Sequence, residues 1–234
     1  MFKHIEVGAL LQALSVSEGR QILATLLQDF LPQAKVVNTP LPLVPEIALL
    51  LLSADYPQHD LSPEQTQRIM NYPAYWCFCW ASGQVMARYL FDNPDLVRGK
   101  KVLDFGCGSG VAAIAAKLAG AKEVIACDLD ADAIVASRAN AALNKAELSY
   151  SDDFFANDEH YDVILVADVL YDRANLPLLD AFLKRAPQVL VADSRVKDFK
   201  VDNYHWLAFQ RATTVPDLAE SEEFSKVNLY LGAR

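Results

Sequence analysis

The feature that most constrains the fold is a glycine-rich turn between an apolar run and an alanine-rich run. The apolar run at 101–105 predicts a buried strand, three glycines follow at Gly106, Gly108 and Gly110, and a helical pattern covers 111–119. Glycines at such a turn allow the backbone to approach a ligand closely, and the helix directs its first N–H groups at the same ligand. The segment therefore predicts a strand–turn–helix unit of an α/β sheet, with a ligand at the carboxyl end of the strand.

Strand and helix patterns continue to alternate beyond this unit. Strands are predicted at 101–105, 123–127, 147–151, 162–167 and 188–192, and helices at 84–91, 111–119, 131–143 and 176–185. Nearly continuous apolar strands that alternate with helices are typical of a parallel sheet covered on both faces. Two alternating runs, 205–214 and 226–231, predict a C-terminal antiparallel hairpin. The predicted fold class is α/β, with a doubly wound, seven-stranded, mostly parallel sheet.

The N-terminal part of the chain has a different pattern. Residues 1–32 show helical apolar spacing with a break at Ser15–Gly19, which predicts two short helices and a serine N-cap. Residues 33–72 hold five of the eleven prolines and predict an irregular connector, with one short helix beginning near Pro45. We therefore divide the chain into an N-terminal helical extension (1–40), a connector (41–72) and a C-terminal domain (73–234).

Charge and cysteine content narrow the functional class. The net charge of −9 leaves no excess of Lys and Arg for free-standing affinity to nucleic acid, although it suits a cationic substrate. The strongest apolar run, 47–52, is far shorter than the roughly 20 residues that a membrane span needs. The four cysteines form no Cys-x-x-Cys pair and no secretory signal is visible. These observations predict a cytoplasmic protein with reduced thiols and no metal site.

Two acids define the chemistry of the predicted ligand. The glycines follow the spacing G-x-G-x-G and not that of dinucleotide binders, and Asp104 precedes them, where it would repel pyrophosphate and attract an amino group. Asp128 closes the next predicted strand, where a carboxylate can accept hydrogen bonds from both ribose hydroxyls. A ligand with a ribose and an amine but no phosphate is S-adenosylmethionine.

The glycine-rich segment and the following acid resemble motif I and the next acidic position of the class I, seven-strand S-adenosylmethionine-dependent methyltransferases. The resemblance implies a Rossmann-like fold and cofactor contacts at Asp104, Gly106, Cys107, Gly108, Gly110 and Asp128. It also implies a contact between the adenine amine and Asp152 after the next strand, with Asp153 as an alternative.

A second resemblance lies in the aromatic-rich segment 73–84 and the D-x-x-Y segment from Asp168 to Tyr171. Both are similar to the protein lysine methyltransferases that act on the beta subunit of electron-transfer flavoprotein. The similarity runs from about residue 41 to the C-terminus and is strongest over 73–140. It implies that Trp80 lies against the cofactor, that Asp168 orients a lysine ammonium as a catalytic residue, and that Tyr171 supplies a second hydrogen bond.

The sequence departs from this family at two places, and these departures leave the acceptor open. Ala81–Ser82 stand where the family usually has proline and glycine, and Asp193–Ser194–Arg195 replace the usual Asp-Pro-Gly-Arg. Besides a protein with an acceptor lysine, two alternatives are a small-molecule N-methyltransferase and a non-catalytic S-adenosylmethionine-binding module.

Structural roles are open alternatives for three of the site residues. Asp168 is also a candidate helix N-cap, Tyr171 a packing aromatic and Trp80 a core tryptophan. Against these alternatives stands the distribution of acids, because an aspartate lies at the end of each of five predicted parallel strands: Asp104, Asp128, Asp152, Asp168 and Asp193. We expect them, with acids of the hairpin loop at Asp217, Glu220, Glu222 and Glu223, to form a negative rim that suits a sulfonium and a lysine.

Overall fold

A computed structural model describes residues 15–28, 31–57, 73–196, 199–218 and 220–234. The first of the two predicted N-terminal helices, which rests on apolar positions 7–14, lies outside the described residues. So does most of the second half of the predicted connector.

The predicted seven-stranded sheet is confirmed. Its strands are β3 (Lys101–Phe105), β4 (Glu123–Cys127), β5 (Ser149–Ser151), β6 (Val163–Ala167), β7 (Gln188–Asp193), β8 (Tyr204–Arg211) and β9 (Lys226–Ala233). They lie in the order β5-β4-β3-β6-β7-β9-β8, and β9 is antiparallel to both of its neighbours while the other pairs are parallel. The chain winds outward from β3 in one direction and from β6 in the other. Ligands of such sheets bind where the winding reverses, outside the carboxyl ends of β3 and β6.

Helices cover both faces of this sheet, as the alternation of strands and helices predicts. They are α2 (Ala81–Asp92), α3 (Val111–Leu118), α4 (Ala131–Leu143) and α5 (Leu178–Arg185). Val102, Val124 and Val163 face a core that contains α2 and α3. Their neighbours in the chain, Leu103, Ile125 and Ile164, face a core that contains α5. No helix among the described residues has the length and apolar content that a membrane span requires.

The short helix predicted near Pro45 is wrong. Val36–Pro40 (β1) and Ala48–Leu52 (β2) form an antiparallel pair, and a turn connects them. The apolar run of β2 is buried on both faces, with Leu49 in the core beneath α2 and Leu50 in a second core against α4. An extended backbone places successive side chains on opposite faces, so it serves two cores where a helix would serve one.

The predicted break at Ser15–Gly19 is also wrong in position, although the serine N-cap is confirmed. Helix α1 (Val16–Gln28) begins directly after Ser15, whose Oγ accepts a hydrogen bond from the Glu18 N–H at 3.3 Å, while Glu18 accepts one from the Ser15 N–H at 2.9 Å. This reciprocal pair is a capping box. Gly19 lies inside the helix, at a point where a Cβ would stand only 2.7 Å from the Cβ of Ala139 on α4. The glycine thus permits close helix packing and does not end a helix.

The aromatic-rich segment before α2 has the composition of a strand but does not form one. Tyr75–Cys77 forms a 3₁₀ turn, and Cys79 alone pairs in β fashion, with Val215. Cys77 and Cys79 would share one face of an extended segment, but here they lie in different cores. At the end of this turn the chain packs Cys77 into the core against α4, and beyond it Cys79 into the core beneath α2. Helix α2 then begins at Ala81, three residues before the predicted start at Gln84.

Candidate active site

A cavity of about 570 Å³ opens at the carboxyl ends of β3 and β6. We call the wall formed by Gly106, Gly108, Asp128 and Asp130 the glycine side, and the wall formed by Asp168, Tyr171, Arg195 and Glu220 the arginine side. Of the site residues predicted from sequence, six line the cavity, namely Trp80, Gly106, Gly108, Asp128, Asp168 and Tyr171. The volume is within the usual range for a small-molecule site.

The glycine turn is built for close approach on one side and tight packing on the other. Gly108 has φ +49°, and a Cβ at this position would have no atom within 4 Å, so its open side faces the cavity. Gly110 has φ +83°, and a Cβ there would stand 2.4 Å from the Oγ of Ser137 on α4. Gly108 therefore leaves room for a ligand, whereas Gly110 seats the turn on the protein.

Asp128 presents both carboxylate oxygens at the end of β4. Its Oδ2 accepts a hydrogen bond from the Gly108 N–H at 2.9 Å, and its Oδ1 accepts one from the Asp130 N–H at 3.0 Å. Burial raises the pKa of Asp128, and these two N–H groups act against that rise. Since each carboxylate oxygen retains a free lone pair, the two oxygens can still accept hydrogen bonds from two neighbouring hydroxyls.

Asp104 lies behind the turn and does not line the cavity. Its side chain is buried and accepts a hydrogen bond from the Ala113 N–H at 2.9 Å, in the first turn of α3. Burial, with a smaller contribution from the charge of Asp128, raises its pKa to about 7. Cys107 is buried beside it, and burial raises the pKa of its thiol. Asp104 thus fixes α3 against β3, and its predicted contact with the cofactor amine stays a prediction.

Asp168 is the centre of the arginine side. It follows β6 in a left-handed conformation (φ 52°), which is unfavourable for a non-glycine residue and concentrates at functional sites. Its Oδ1 accepts hydrogen bonds from the hydroxyls of Ser82 at 2.7 Å and Ser194 at 3.2 Å, and its Oδ2 accepts one from the Ser82 N–H at 3.3 Å. Burial raises its pKa to about 6, although Ser82 acts to lower it.

Both serines stand where the sequence departs from the flavoprotein-methyltransferase pattern. Asp168 does have a capping role, but the helix it caps is α2, which begins 87 residues earlier in the chain, and not the segment that follows it. The carboxylate therefore both anchors α2 and lines the cavity.

Aromatic rings form a further part of the cavity wall. Trp80 lines the cavity, which speaks against a plain core role, and its Nε1 donates a hydrogen bond to the Tyr75 carbonyl at 3.1 Å. The Tyr75 ring centroid is 5.6 Å from that of Trp80 and 5.9 Å from that of Tyr171. Tyr171 is 58% exposed, so it stands at the mouth of the cavity. Trp76 is buried, also lines the cavity, and has an Nε1 without a hydrogen-bond partner.

The arginine side contains an ion pair that is not evident from the sequence. Arg195, just beyond β7, pairs with Glu220 of the connector between β8 and β9, and both line the cavity. Tyr75 and Trp76 are not evident as site residues either. A 3₁₀ turn, and an ion pair between residues 25 positions apart, produce no periodic pattern in the sequence from which they could be predicted.

Four predicted contacts lie away from the cavity wall: Asp104, Cys107, Gly110 and Asp152. Asp152 is exposed at the end of β5, so its predicted contact with the adenine amine stays a prediction. Asp193 is buried, and one of its carboxylate oxygens has no hydrogen-bond partner. Of the nine acids expected to form a negative rim, Asp128, Asp168 and Glu220 line the cavity. Within the described part of the chain, no group of His, Cys, Asp and Glu could hold a metal ion.

The residues present fit S-adenosylmethionine. The open side of Gly108 admits a ligand against the backbone, and the free lone pairs of Asp128 suit ribose hydroxyls. Carboxylates on both sides of the cavity suit a positively charged sulfonium. Trp80 adds an aromatic surface to the cavity wall.

Comparison with known proteins supports this interpretation. Residues 89–190 match the family model for ribosomal protein L11 methyltransferase (PrmA). The electron transfer flavoprotein beta subunit lysine methyltransferase of Danio rerio is 37% identical over 196 residues, which are 78% of this chain and 73% of the relative. That of Rattus norvegicus is 33% identical over 189 residues, 77% of this chain and 73% of the relative.

The fold is also found among solved structures. A Pyrococcus horikoshii protein described as a candidate RNA methyltransferase superposes with a TM-score of 0.53 at 19% identity, covering 65% of this chain and 83% of that one. At this identity the likeness shows the fold alone. It agrees with the Rossmann-like sheet described above.

Proposed function

Because the chain belongs to the family of electron transfer flavoprotein beta subunit lysine methyltransferases, we propose that it transfers methyl groups to a lysine of that flavoprotein subunit. The chain is an S-adenosylmethionine-dependent N-methyltransferase of the protein-lysine type, and its substrate is a protein. The identity of that protein is the part we propose. A cytoplasmic location, without a nucleic acid or membrane partner, completes the proposal.

The observation that carries the proposal is the carboxylate of Asp168 at the cavity wall. Three hydrogen bonds from Ser82 and Ser194 fix its orientation, and it lies across the switch point from Asp128. A fixed carboxylate beside a cofactor cavity is suited to bind an ammonium group. We expect the lysine to enter past Tyr75 and Tyr171, the two exposed aromatic residues at the mouth.

The reaction requires a neutral amine in line with the methyl group, and lysine is charged at neutral pH, with a reference pKa of about 10.4. S-adenosylmethionine supplies a methyl group already activated by its sulfonium. Asp128 and the backbone of Gly108 hold the donor on the glycine side. Asp168 binds and orients the ammonium on the arginine side, and the Tyr171 hydroxyl supplies a second hydrogen bond. The protein thus contributes mainly orientation and removal of water.

A labelled-methyl assay tests the proposal. The purified chain is incubated with methyl-labelled S-adenosylmethionine and, separately, with electron transfer flavoprotein beta subunit, ribosomal protein L11 and RNA. We expect label on a lysine of the flavoprotein subunit, located by peptide mass spectrometry. Transfer only to ribosomal protein L11 or to RNA would assign another substrate.

Two further outcomes decide between the alternatives left by the sequence. In cell extract, label in a small molecule with none in protein would indicate a small-molecule N-methyltransferase. Calorimetric binding of S-adenosylmethionine without any transfer would indicate a binding module. An Asp168→Asn variant serves as the matched control, because it should retain the cofactor but lose transfer.

A further inference from the structure

The arginine side of the cavity combines two acids with one base. Asp168 and Glu220 are the acids, and Arg195 is the one Lys, Arg or His side chain among the described residues that line the cavity. With all three ionised, their charges sum to that of a single carboxylate. A lysine ammonium entering this side would therefore meet a net charge that it balances.

Contacts from the β8–β9 connector hold the guanidinium of Arg195 in place, and its backbone is fixed at the end of β7. It forms a short ion pair with Oε1 of Glu220, whose Oε2 accepts a hydrogen bond from the Thr214 hydroxyl at 2.5 Å. The guanidinium carbon also lies 3.9 Å from the ring centroid of Phe224. At the other end of the residue, the backbone N–H of Arg195 donates a hydrogen bond to Oδ1 of Asp193 at 2.8 Å. The positive charge is thus fixed between the end of β7 and the β8–β9 connector.

We propose that Arg195, held by Glu220, limits the negative charge on the arginine side, so that a lysine ammonium binds there and still releases its proton. This inference rests on the lysine acceptor of the proposed function. It makes Arg195 and Glu220 positioning residues that set the charge balance around the acceptor, and Asp168 remains the residue that contacts it.

The chemistry makes such a limit necessary. The ammonium first loses a proton to water, and its nitrogen lone pair then forms the new N–C bond. The C–S bond breaks in the same step, and its electron pair stays on sulfur, which becomes a neutral thioether. Two carboxylates without the arginine would bind the ammonium more tightly but would also retain its proton. The nucleophile would then be scarce at neutral pH.

Other titratable groups surround the same space and stay constant in the comparison. They are Asp128 and Asp130 on the glycine side, Tyr75 and Tyr171 at the mouth, Cys79 and Asp193 behind Asp168, and Arg211, Asp217 and Glu222 around Glu220. Because none of them changes in the Arg195 and Glu220 variants below, a difference in the pH profile of those variants reports Arg195 and Glu220.

The test is the pH profile of kcat between pH 7 and 10 for the full chain and its variants on the flavoprotein substrate. The profile of kcat reports the complex with bound substrate, so its rising limb follows loss of the acceptor proton. For Arg195→Gln we expect the limb to move up by about one pH unit, with a lower KM. For Glu220→Gln we expect it to move down by a similar amount, with a higher KM.

The double variant Arg195→Gln/Glu220→Gln separates charge balance from structural damage. It restores the net charge, so we expect its limb close to that of the wild type. Arg211→Gln is the matched control, because it breaks the ion pair between Arg211, the last residue of β8, and Glu222 of the β8–β9 connector. Arg211 does not line the cavity. We expect this variant to leave the limb in place.

Shifts of both single variants in the same direction, or a double variant displaced further than either single variant, would overturn the inference. A wild type that transfers no methyl to any lysine would instead overturn the proposed function. The two failures are therefore distinguishable within one experiment.

Discussion

The glycine side and the arginine side of the cavity are assembled in different ways. On the glycine side, the hydrogen bond of Asp128 to Gly108 joins residues 20 positions apart, and behind it the bond of Asp104 to Ala113 joins residues 9 positions apart, all within one strand–helix–strand unit. On the arginine side, Asp168 is joined to Ser82 across 86 positions and to Ser194 across 26. The first wall is a local structure, whereas the second exists only when α2, β6, β7 and the β8–β9 connector have come together. We therefore expect changes on the two sides to affect separate steps.

The largest effect is expected from Asp168→Asn. The amide keeps the shape of the side chain but removes the charge that binds the ammonium. We expect kcat/KM for the protein substrate to fall by about 100-fold or more, with the affinity for S-adenosylmethionine unchanged within about twofold. Steady-state kinetics and calorimetry on the same preparation measure both quantities. A parallel loss of cofactor affinity would show that the two sides are not separate.

Asp128→Asn should have the opposite signature. One carboxylate oxygen that accepts from the Gly108 or Asp130 N–H is replaced by an NH₂ group, so an acceptor for the ribose is lost as well. We expect the Kd for S-adenosylmethionine to rise about 10- to 100-fold, which corresponds to losing hydrogen bonds to a charged group. The KM for the protein substrate, measured at saturating cofactor, should change little. An unchanged cofactor Kd would remove Asp128 from the binding site.

A pair of glycine variants separates binding from folding within the glycine side. Gly108→Ala adds a methyl group towards the open cavity, so it should weaken cofactor binding at least tenfold. The free energy of unfolding should fall by only about 1 kcal/mol, because the alanine is strained at this positive φ. Gly110→Ala drives a methyl group into Ser137 and should lower the free energy of unfolding by about 1–3 kcal/mol more. Denaturant unfolding and calorimetry distinguish the two. Equal stability losses would contradict the assignment of Gly108 to the ligand.

The smallest effect is expected on the pH dependence, from Ser82→Ala. Its hydroxyl stabilises the ionised form of Asp168, whose pKa burial raises to about 6. Loss of this donor raises that pKa, so the acid limb of kcat/KM should move to higher pH by a few tenths to about one unit. Ser194→Ala, which removes the longer 3.2 Å bond, should move it less. A limb that moves down, or that moves equally in both variants, would contradict the role of these bonds.

The same contrast explains what the sequence could predict. The strands of the sheet, the glycine turn and the C-terminal hairpin follow from periodicities that extend over a few residues, and all are confirmed. The β1–β2 pair was missed because a proline-rich stretch has no clear period and because β2 is buried on both faces. The edge of β2 that does not pair with β1 is covered by α4, where the side chain of Asn140 accepts a hydrogen bond from the Leu50 N–H at 2.7 Å.

On the arginine side, sequence could place the residues at strand ends but could not say what they contact. Asp168 could be expected at this edge because the carboxyl ends of parallel strands meet there, and it does line the cavity, while its catalytic role stays a prediction. Its bonds to Ser82 and Ser194, and the pair between Arg195 and Glu220, depend on how distant elements pack. Such contacts leave no local pattern in the chain.

The separation of the two sides is tested most directly by single-turnover methyl transfer at increasing S-adenosylmethionine concentration. Asp128→Asn, Asp168→Asn and the wild type are each mixed with flavoprotein beta subunit, and lysine methylation is followed by mass spectrometry. The account predicts that saturating cofactor brings the Asp128→Asn rate to within a few-fold of the wild type, while Asp168→Asn stays slow at every concentration. Recovery of Asp168→Asn by added cofactor, with Asp128→Asn remaining slow at saturation, would contradict it.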